Sequence, residues 1–332
     1  MTSPDLVTVV IPAYNAATTI GKTLRSVRAQ THTRLEILIV DDGSSDATAV
    51  IVRSHMAVDD RIKLLRQDNG GVASARNRGW NESAAEQIAF IDADDLWAAD
   101  KIEKQLDALR KGGATVALVY TGYAVIDEAD LVIDDRHRPT AAGNVLEALL
   151  MENFVGNGSS VLIRKAALTA LGGYDSSLRA RNAEGCEDLL LYQRIAERYE
   201  FALIPERLTG YRMTPANMSS DLARMLRSWR LVADEMRSRH PEYERTIEQG
   251  VTFYIAWLLA RSIRTRRPLD VARLSWMLLL RRADLAARAL LLETSYGLLR
   301  KVRRGLGRKN VRPGPPVLER PRFAIGDPDV AP

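Results

Sequence analysis

A mainly parallel α/β sheet covered by helices on both faces, followed by a helical C-terminal region, is the architecture this sequence predicts. Three observations carry the prediction. Short apolar runs alternate with helix-spaced segments four times in the first hundred residues, acid-rich clusters stand just past those runs, and beyond Ser220 the chain turns to Arg and Leu at helical spacing. Neighbouring parallel strands need long crossovers, which helices supply. Ligands of such sheets bind beyond the carboxyl ends of the strands, where the polar clusters fall.

Residues 6–11 form a buried strand ending at Pro12, and Ile20, Leu24 and Val27 then recur at helical spacing. Residues 35–40 are a second strand, halted by Asp41-Asp42-Gly43. A helix is expected over 46–58, with Ser44 or Ser45 as its cap. A third strand at 62–65 leads through Asp68-Asn69-Gly70-Gly71 into a helix at 72–83, and a fourth at 87–91 runs straight into Asp92-Ala93-Asp94-Asp95. Further strands are expected between 116 and 133 and at 160–163, with helices at 144–153 and 187–198. The expected units are a catalytic domain over 1–220, a basic helical region over 221–310 and a Pro-rich, disordered tail over 311–332.

The charge is unevenly distributed. Residues 1–220 carry 24 basic and 30 acidic side chains, whereas 221–310 carry 20 basic and 9 acidic, so the net +5 conceals an acidic front and a basic back. Cys186 is the single cysteine, which excludes an internal disulfide framework and fits a reducing compartment. No basic-then-apolar leader is expected at the N-terminus, and no apolar run approaches the roughly 18–20 residues of a spanning helix. A cytoplasmic location follows as the expectation.

Three clusters bear on chemistry. The carboxylates of Asp92, Asp94 and Asp95 repel one another at a strand end unless a cation or hydrogen-bond donors compensate them. Mg²⁺ or Mn²⁺ would do so, completed by substrate phosphates; a solvated acidic turn would need neither. Asp41-Asp42 could accept from a nucleobase N–H or simply form a turn. Glu187-Asp188 opens a helix, where acids are favoured by the helix dipole, yet a carboxylate there could also act as a general base.

Read together, VVIPAYNAATTIGKTLRSVRAQT, LEILIVDDGSSDAT, NGGVASARNRG, IAFIDADDLW, GNGSSVLIRKAAL, LGGYD and EDLLLYQRIAE resemble a bacterial family 2 glycosyltransferase over roughly residues 5–220. The resemblance implies the GT-A fold, a nucleotide-diphospho-sugar donor with UDP favoured, a divalent cation (Mn²⁺ or Mg²⁺), and inversion at the anomeric carbon. It implies that Pro12, Ala13 and Tyr14 line the base pocket and that Asp42 reads the base. Asn69 and Arg76 would close over base and diphosphate, and Asp92 would reach the ribose or sugar. Asp94 would hold the metal with Asp95 sharing that duty; Asp188 would be the catalytic base, with Glu187 its companion. Two positions depart from the family. Thr214 stands where many relatives carry a His, and Gln193-Arg194 is not followed by the RW of processive polymerases, which implies single-sugar transfer.

The basic helical region admits two readings. Over 273–310, Leu278, Leu285, Ala289, Leu292, Tyr296 and Leu299 share a helical face that could pack on the catalytic domain. The accompanying Arg and Lys residues also suit an anionic membrane surface, which would make the protein peripheral on the inner face of the cell membrane. No nucleic-acid partner is expected, because neither zinc-ligand spacing nor an aromatic RNA-binding motif occurs. The acceptor would be a saccharide or lipid-linked group, in cell-envelope or exopolysaccharide synthesis. A metal-dependent nucleotidyltransferase and a non-catalytic nucleotide-sugar-binding protein are the competing functions. A dinucleotide-dependent dehydrogenase is unsupported, since Pro12-Ala13-Tyr14-Asn15 stands where a G-x-G-x-x-G would.

Overall fold

The computed structural model describes residues 5–213, 221–287, 291 and 320–326. The first hundred residues build β1 (Val7–Ala13), α1 (Ile20–Arg28), β2 (Leu35–Asp41), α2 (Thr48–Met56), β3 (Ile62–Arg66), α3 (Val72–Glu82) and β4 (Gln87–Phe90). The expected strands and helices are all present, with ends within about two residues of those read from the sequence. The cap of α2 is a correction: neither Ser44 nor Ser45 precedes the helix directly, Ala47 does, while Asp46 Oδ1 accepts from the Thr48 N–H at 2.9 Å and Ser44 Oγ is used across the loop by Asn15.

The chain continues through β5 (Leu96–Trp97), α4 (Lys101–Lys111), β6 (Val116–Ile126), β7 (Val132–Asp134), α5 (Leu146–Met151), β8 (Val161–Arg164), α6 (Lys165–Leu171), α7 (Ser177–Ala180), α8 (Glu187–Ala196) and β9 (Glu200–Arg212). The strand order is β3-β2-β1-β4-β8-β6-β9-β5, with β7 on β6. From β3 to β4 every pairing is parallel, as expected. Beyond that the sheet is mixed, because β8 runs antiparallel to both β4 and β6. The reason bears on the site. The loop before β8 already lies at the carboxyl ends of β4 and β6, so β8 can only run back from it.

Apolar side chains alternate between the two faces of the sheet. One layer joins Val9, Ile11, Ile37 and Ile39 to Ile20, Leu24, Val52 and Ile102 from the helices. The other joins Val10, Ile88 and Phe90 to Trp80, Leu168, Leu189 and Leu190. That second layer extends without interruption into α9 (Leu222–Arg239), α10 (Glu244–Arg264) and α11 (Pro268–Leu279), through Trp229, Val251, Leu258, Leu274 and Leu278.

Among the described residues, the packed reading of the C-terminal region therefore holds. Trp229 and Tyr254 stack at 4.0 Å between α9 and α10, and Gly250 lets α10 approach the Leu150 carbonyl of α5. The continuous helix expected from 273 onward is interrupted: α11 ends at Leu279, and residues 283–287 are helical again after a turn. Ala289, Leu292, Tyr296 and Leu299 lie outside the described residues. Disorder does not extend through the Pro-rich tail either. Arg322 bridges to Leu131, the Val132 N–H donates to Pro321 O at 2.9 Å, and the Phe323 N–H donates to Asp130 O at 2.9 Å.

Candidate active site

The two loops beyond β1 and β2 are tied to each other. Asn15, at φ +49°, donates its N–H to Ser44 Oγ and accepts from the Ser45 N–H, both at 2.9 Å. The Ala16 N–H donates to Thr48 Oγ1 at 2.8 Å. Tyr14 thus stands on a pinned loop and is 55% exposed, above the buried Pro12 and Ala13.

Asp42 is buried and already engaged. Its Oδ1 accepts from Gln67 Nε2 and the Gly70 N–H, and its Oδ2 from the Gly71 N–H, each at 2.8 Å. A carboxylate offers about four lone-pair sites, so one is left for a ligand. The main work of Asp42 is to hold the glycine loop. Asn69 is exposed and accepts from Arg179 Nη2 at 2.5 Å. Gly71, at φ +86°, lies under Arg179 and Glu184, where a Cβ would approach both to 2.9 Å.

Beyond β4, the Asp95 N–H donates to the Asp92 carbonyl at 3.1 Å, and the resulting turn gives the three carboxylates different surroundings. Asp95 is fully enclosed. Its carboxyl accepts from Ser159 Oγ at 2.5 Å and from the Arg212 N–H at 2.7 Å. Burial, then the charges of Asp94 and Asp92, hold it well above the usual carboxylate range. An enclosed carboxyl bonded on both oxygens fastens β9 and the loop before β8 to the turn; it is not placed to share a metal. Asp94 is part-exposed, and among the described residues no other residue donates a hydrogen bond to its carboxylate. Burial and the Asp92 charge push it up to about 6. Asp92 pairs with Arg76 Nη2 at 2.5 Å.

Arg76 organises the remainder. It is 5% exposed, lies 5.2 Å over the Tyr174 ring, and touches Gly158, where a Cβ would come within 2.5 Å of Nη2. Burial alone would lower its pKa, but the Asp92 charge raises it overall, so the guanidinium stays charged. Asp188 arrives from the first turn of α8, with Oδ1 accepting from the Leu189 N–H at 2.7 Å. Burial raises its carboxyl above the usual range, against the pull of Arg76. Asp92 and Asp188, far apart in sequence, thus share the field of one buried cation. Glu187 serves the helix start: Oε2 accepts from the Gly185 N–H at 2.8 Å, and burial lifts its carboxyl to about 7.

Sequence reasoning passed over the side chains that line this cation. Asn157 and Tyr174 are 4% and 2% exposed, and the Asn157 amide nitrogen and the Tyr174 hydroxyl have no hydrogen-bond partner among the described residues. The Tyr192 hydroxyl donates to the Asn157 carbonyl at 3.1 Å. GNGSS and LGGYD mark these positions, but small polar residues between glycines read as turn chemistry until the fold closes them over Arg76. Thr214 lies outside the described residues.

The site residues from Pro12 to Gly158 fall on a stretch with many kin, while Tyr174, Glu187 and Asp188 stand beyond it. Residues 8–168 match the family described as Glycosyl transferase family 2. The N-terminal half is a family 2 glycosyltransferase domain. This glycosyltransferase domain is 37% identical over 130 residues to the putative teichuronic acid biosynthesis glycosyltransferase TuaG of Bacillus subtilis, covering 39% of this chain and 51% of TuaG. It is 38% identical over 128 residues to the Escherichia coli UDP-Glc:alpha-D-GlcNAc-diphosphoundecaprenol beta-1,3-glucosyltransferase WfgD, covering 38% of this chain and 49% of WfgD. The chain thus spans about half the length of these two curated relatives. In fold it is similar to S. aureus TarS 1–349 in complex with UDP, with a TM-score of 0.58, 14% identity, and coverage of 93% of this chain and 95% of that one. It is also similar to the mannosyltransferase PcManGT of Pyrobaculum calidifontis in complex with GDP-Man and Mn²⁺, with a TM-score of 0.54, 18% identity, and coverage of 88% and 86%. The architecture is of the GT-A type: a curled mixed sheet with helices on both faces and helices at its C-terminus.

Proposed function

We propose that this chain is a metal-dependent, inverting hexosyltransferase that moves a single sugar from a nucleotide-diphospho-sugar, with UDP as the nucleotide, to an acceptor hydroxyl. The observation that carries the proposal is the gathering of Asp92 and Asp188 around the buried Arg76 at the carboxyl ends of the strands. The names of TuaG and WfgD support a saccharide or lipid-linked acceptor and a place in cell-envelope polysaccharide synthesis.

Pro12, Ala13 and Tyr14 would line the base, with the free lone pair of Asp42 toward its N–H and Asn69 closing from the glycine loop. Asp92, fixed by Arg76, would meet the ribose or sugar. Among the described residues no cluster of three or more His, Cys, Asp or Glu is placed to hold a metal by itself. Mg²⁺ keeps few protein ligands and takes the rest from phosphate and water, and the Asp94 carboxylate, which no other described residue engages by a hydrogen bond, fits that donor set. A cation held there would supply countercharge to the departing diphosphate. Asp188 accepts the acceptor's hydroxyl proton while that oxygen bonds to the anomeric carbon and the bond to the diphosphate breaks. The Leu189 N–H would keep Asp188 oriented, and Glu187 would hold the start of its helix.

Among the described residues no helix is long and apolar enough to cross a membrane. A cytoplasmic, peripheral placement is the reading we adopt, with the anionic inner surface of the membrane met by the C-terminal helices. The test is thermal shift of purified protein against UDP, GDP, dTDP and CDP, each with Mn²⁺, Mg²⁺ or EDTA. Metal-dependent stabilisation by UDP, lost in Asp94→Ala, is expected; a folded protein that answers no nucleotide would overturn the proposal.

A further inference from the structure

A groove outside the donor site lies one loop away from Arg76. It has a volume of about 480 Å³ and runs between the end of β6, the segment after β7 and the C-terminal end of α5. A second depression of about 250 Å³ shares Tyr123, Arg136 and His137 with it, so the two adjoin. Tyr123 touches Gly156, where a Cβ would come within 2.6 Å of its ring; two residues further, Gly158 touches Arg76. The wall of the groove is therefore the same loop that frames the proposed reaction centre.

The lining has the chemistry of hydroxyl recognition. Tyr123 and His137 stack at 4.0 Å, and both ring nitrogens of His137 meet backbone: the Tyr123 N–H at Nδ1 (3.3 Å) and the Phe154 carbonyl at Nε2 (2.9 Å). What His137 has left to offer is flat ring surface, and Tyr123 adds its ring and its hydroxyl. Burial lowers the His137 pKa, which keeps that surface neutral. Around it stand groups of both polarities. The Thr140 hydroxyl and the Glu152 carboxylate have no hydrogen-bond partner among the described residues. Among the described residues Asn153 uses only its Oδ1, on the Gly156 N–H at 3.0 Å, and Arg138 binds the carbonyls of Asp135 and His137 alone. Apolar ring faces combined with a few convergent donors and acceptors suit an amphipathic ligand with many hydroxyls. An extended apolar chain would leave those polar groups desolvated and unpaired.

We infer that this groove is the acceptor subsite and that it takes a pyranoside, whose ring packs on the Tyr123–His137 stack while Thr140, Glu152, Asn153 and Arg138 read its hydroxyls. The inference rests on the glycosyltransferase reading, since only an acceptor needs a saccharide site beside the donor. The test is saturation-transfer NMR with the methyl glycosides of glucose, galactose and N-acetylglucosamine, with and without UDP and Mn²⁺. UDP binding is followed by thermal shift on the same samples. Thr140→Trp fills the groove from an exposed position and is expected to abolish transfer to the glycoside protons; Glu152→Gln is expected to cut it severalfold. UDP-binding wild-type protein that saturates none of the three glycosides, or a Thr140→Trp variant that saturates them as wild type does, would overturn the subsite. Saturation in a protein that ignores UDP would instead sink the donor reading and with it the acceptor role, leaving a saccharide-binding groove alone.

Discussion

A carboxylate can take a proton from a hydroxyl only when it is itself ionised. Because burial raises the Asp188 carboxyl, its protonated form persists above the ordinary aspartate range near pH 3.9. Activity should therefore fall as the pH drops through the raised pKa, and a pH profile of kcat/KM for UDP-sugar turnover should place its acid limb above about pH 4. Asp188→Asn keeps the shape and loses the base, so turnover should drop by about 10²–10⁴-fold while UDP stabilisation survives. Equal turnover by both proteins would remove Asp188 from the role. Arg76 is the residue on which these effects converge. Lys in its place would lose the planar fork that pairs with Asp92 and lies over Tyr174.

The helix that carries the base is held along its whole length by α9. At its start the Cys186 N–H donates to Ser228 Oγ at 3.0 Å; at its middle Arg194 grips Glu235 at 2.8 and 2.9 Å; past its end Glu197 receives Arg239 and His240. The last contact sets a pH window. Although burial opposes it, the pKa of His240 is raised by Glu197 and Glu242, so its contribution is complete below about pH 6.5 and is lost as pH rises through the raised value. Glu197 is lowered against burial by Arg239 and His240, so its share is present above about pH 4.3 and lost on acidification. Melting temperature should fall between pH 6 and pH 8.5, and the fall should shrink in His240→Gln. Gly250→Ala would drive a methyl into the Leu150 carbonyl and should cost about 1–3 kcal/mol by urea unfolding. The sequence made the first four strands legible because each apolar run ends in a polar cluster. It hid β9, where Pro205 and Glu206 stand exposed and the register against β6 shifts between Thr121 and Gly122. A proline inside a run argues against a strand in one dimension; in the fold it sits at an irregularity that spares its missing N–H. Asp95 was misread for a related reason: its partners, Ser159 and Arg212, are distant in sequence, so nothing near it foretold that it would be enclosed.

Across the whole molecule, the C-terminal helices bury one face in the core shared with the glycosyltransferase domain and leave another outward. Trp257, Leu269, Trp276 and Leu280 are 45–85% exposed, and Arg264, Arg273 and Arg282 also stand at the surface of these helices. Aromatic and leucine side chains beside cations suit an anionic bilayer. Liposome flotation should recover the protein with vesicles containing anionic lipid and not with neutral ones, and Trp276→Ser with Leu280→Ser should abolish recovery without loss of UDP stabilisation. The closing strap at 320–326 has a wider consequence. It pairs with the 130–132 turn; Asp130 and the Asp127 carbonyl of that turn bind Arg212, and Arg212 donates to the Asp94 carbonyl at 2.6 Å. The strap is thus a keystone for the acidic turn. An affinity handle fused close behind Gly326 would therefore press on the support of the very turn its user hopes to assay.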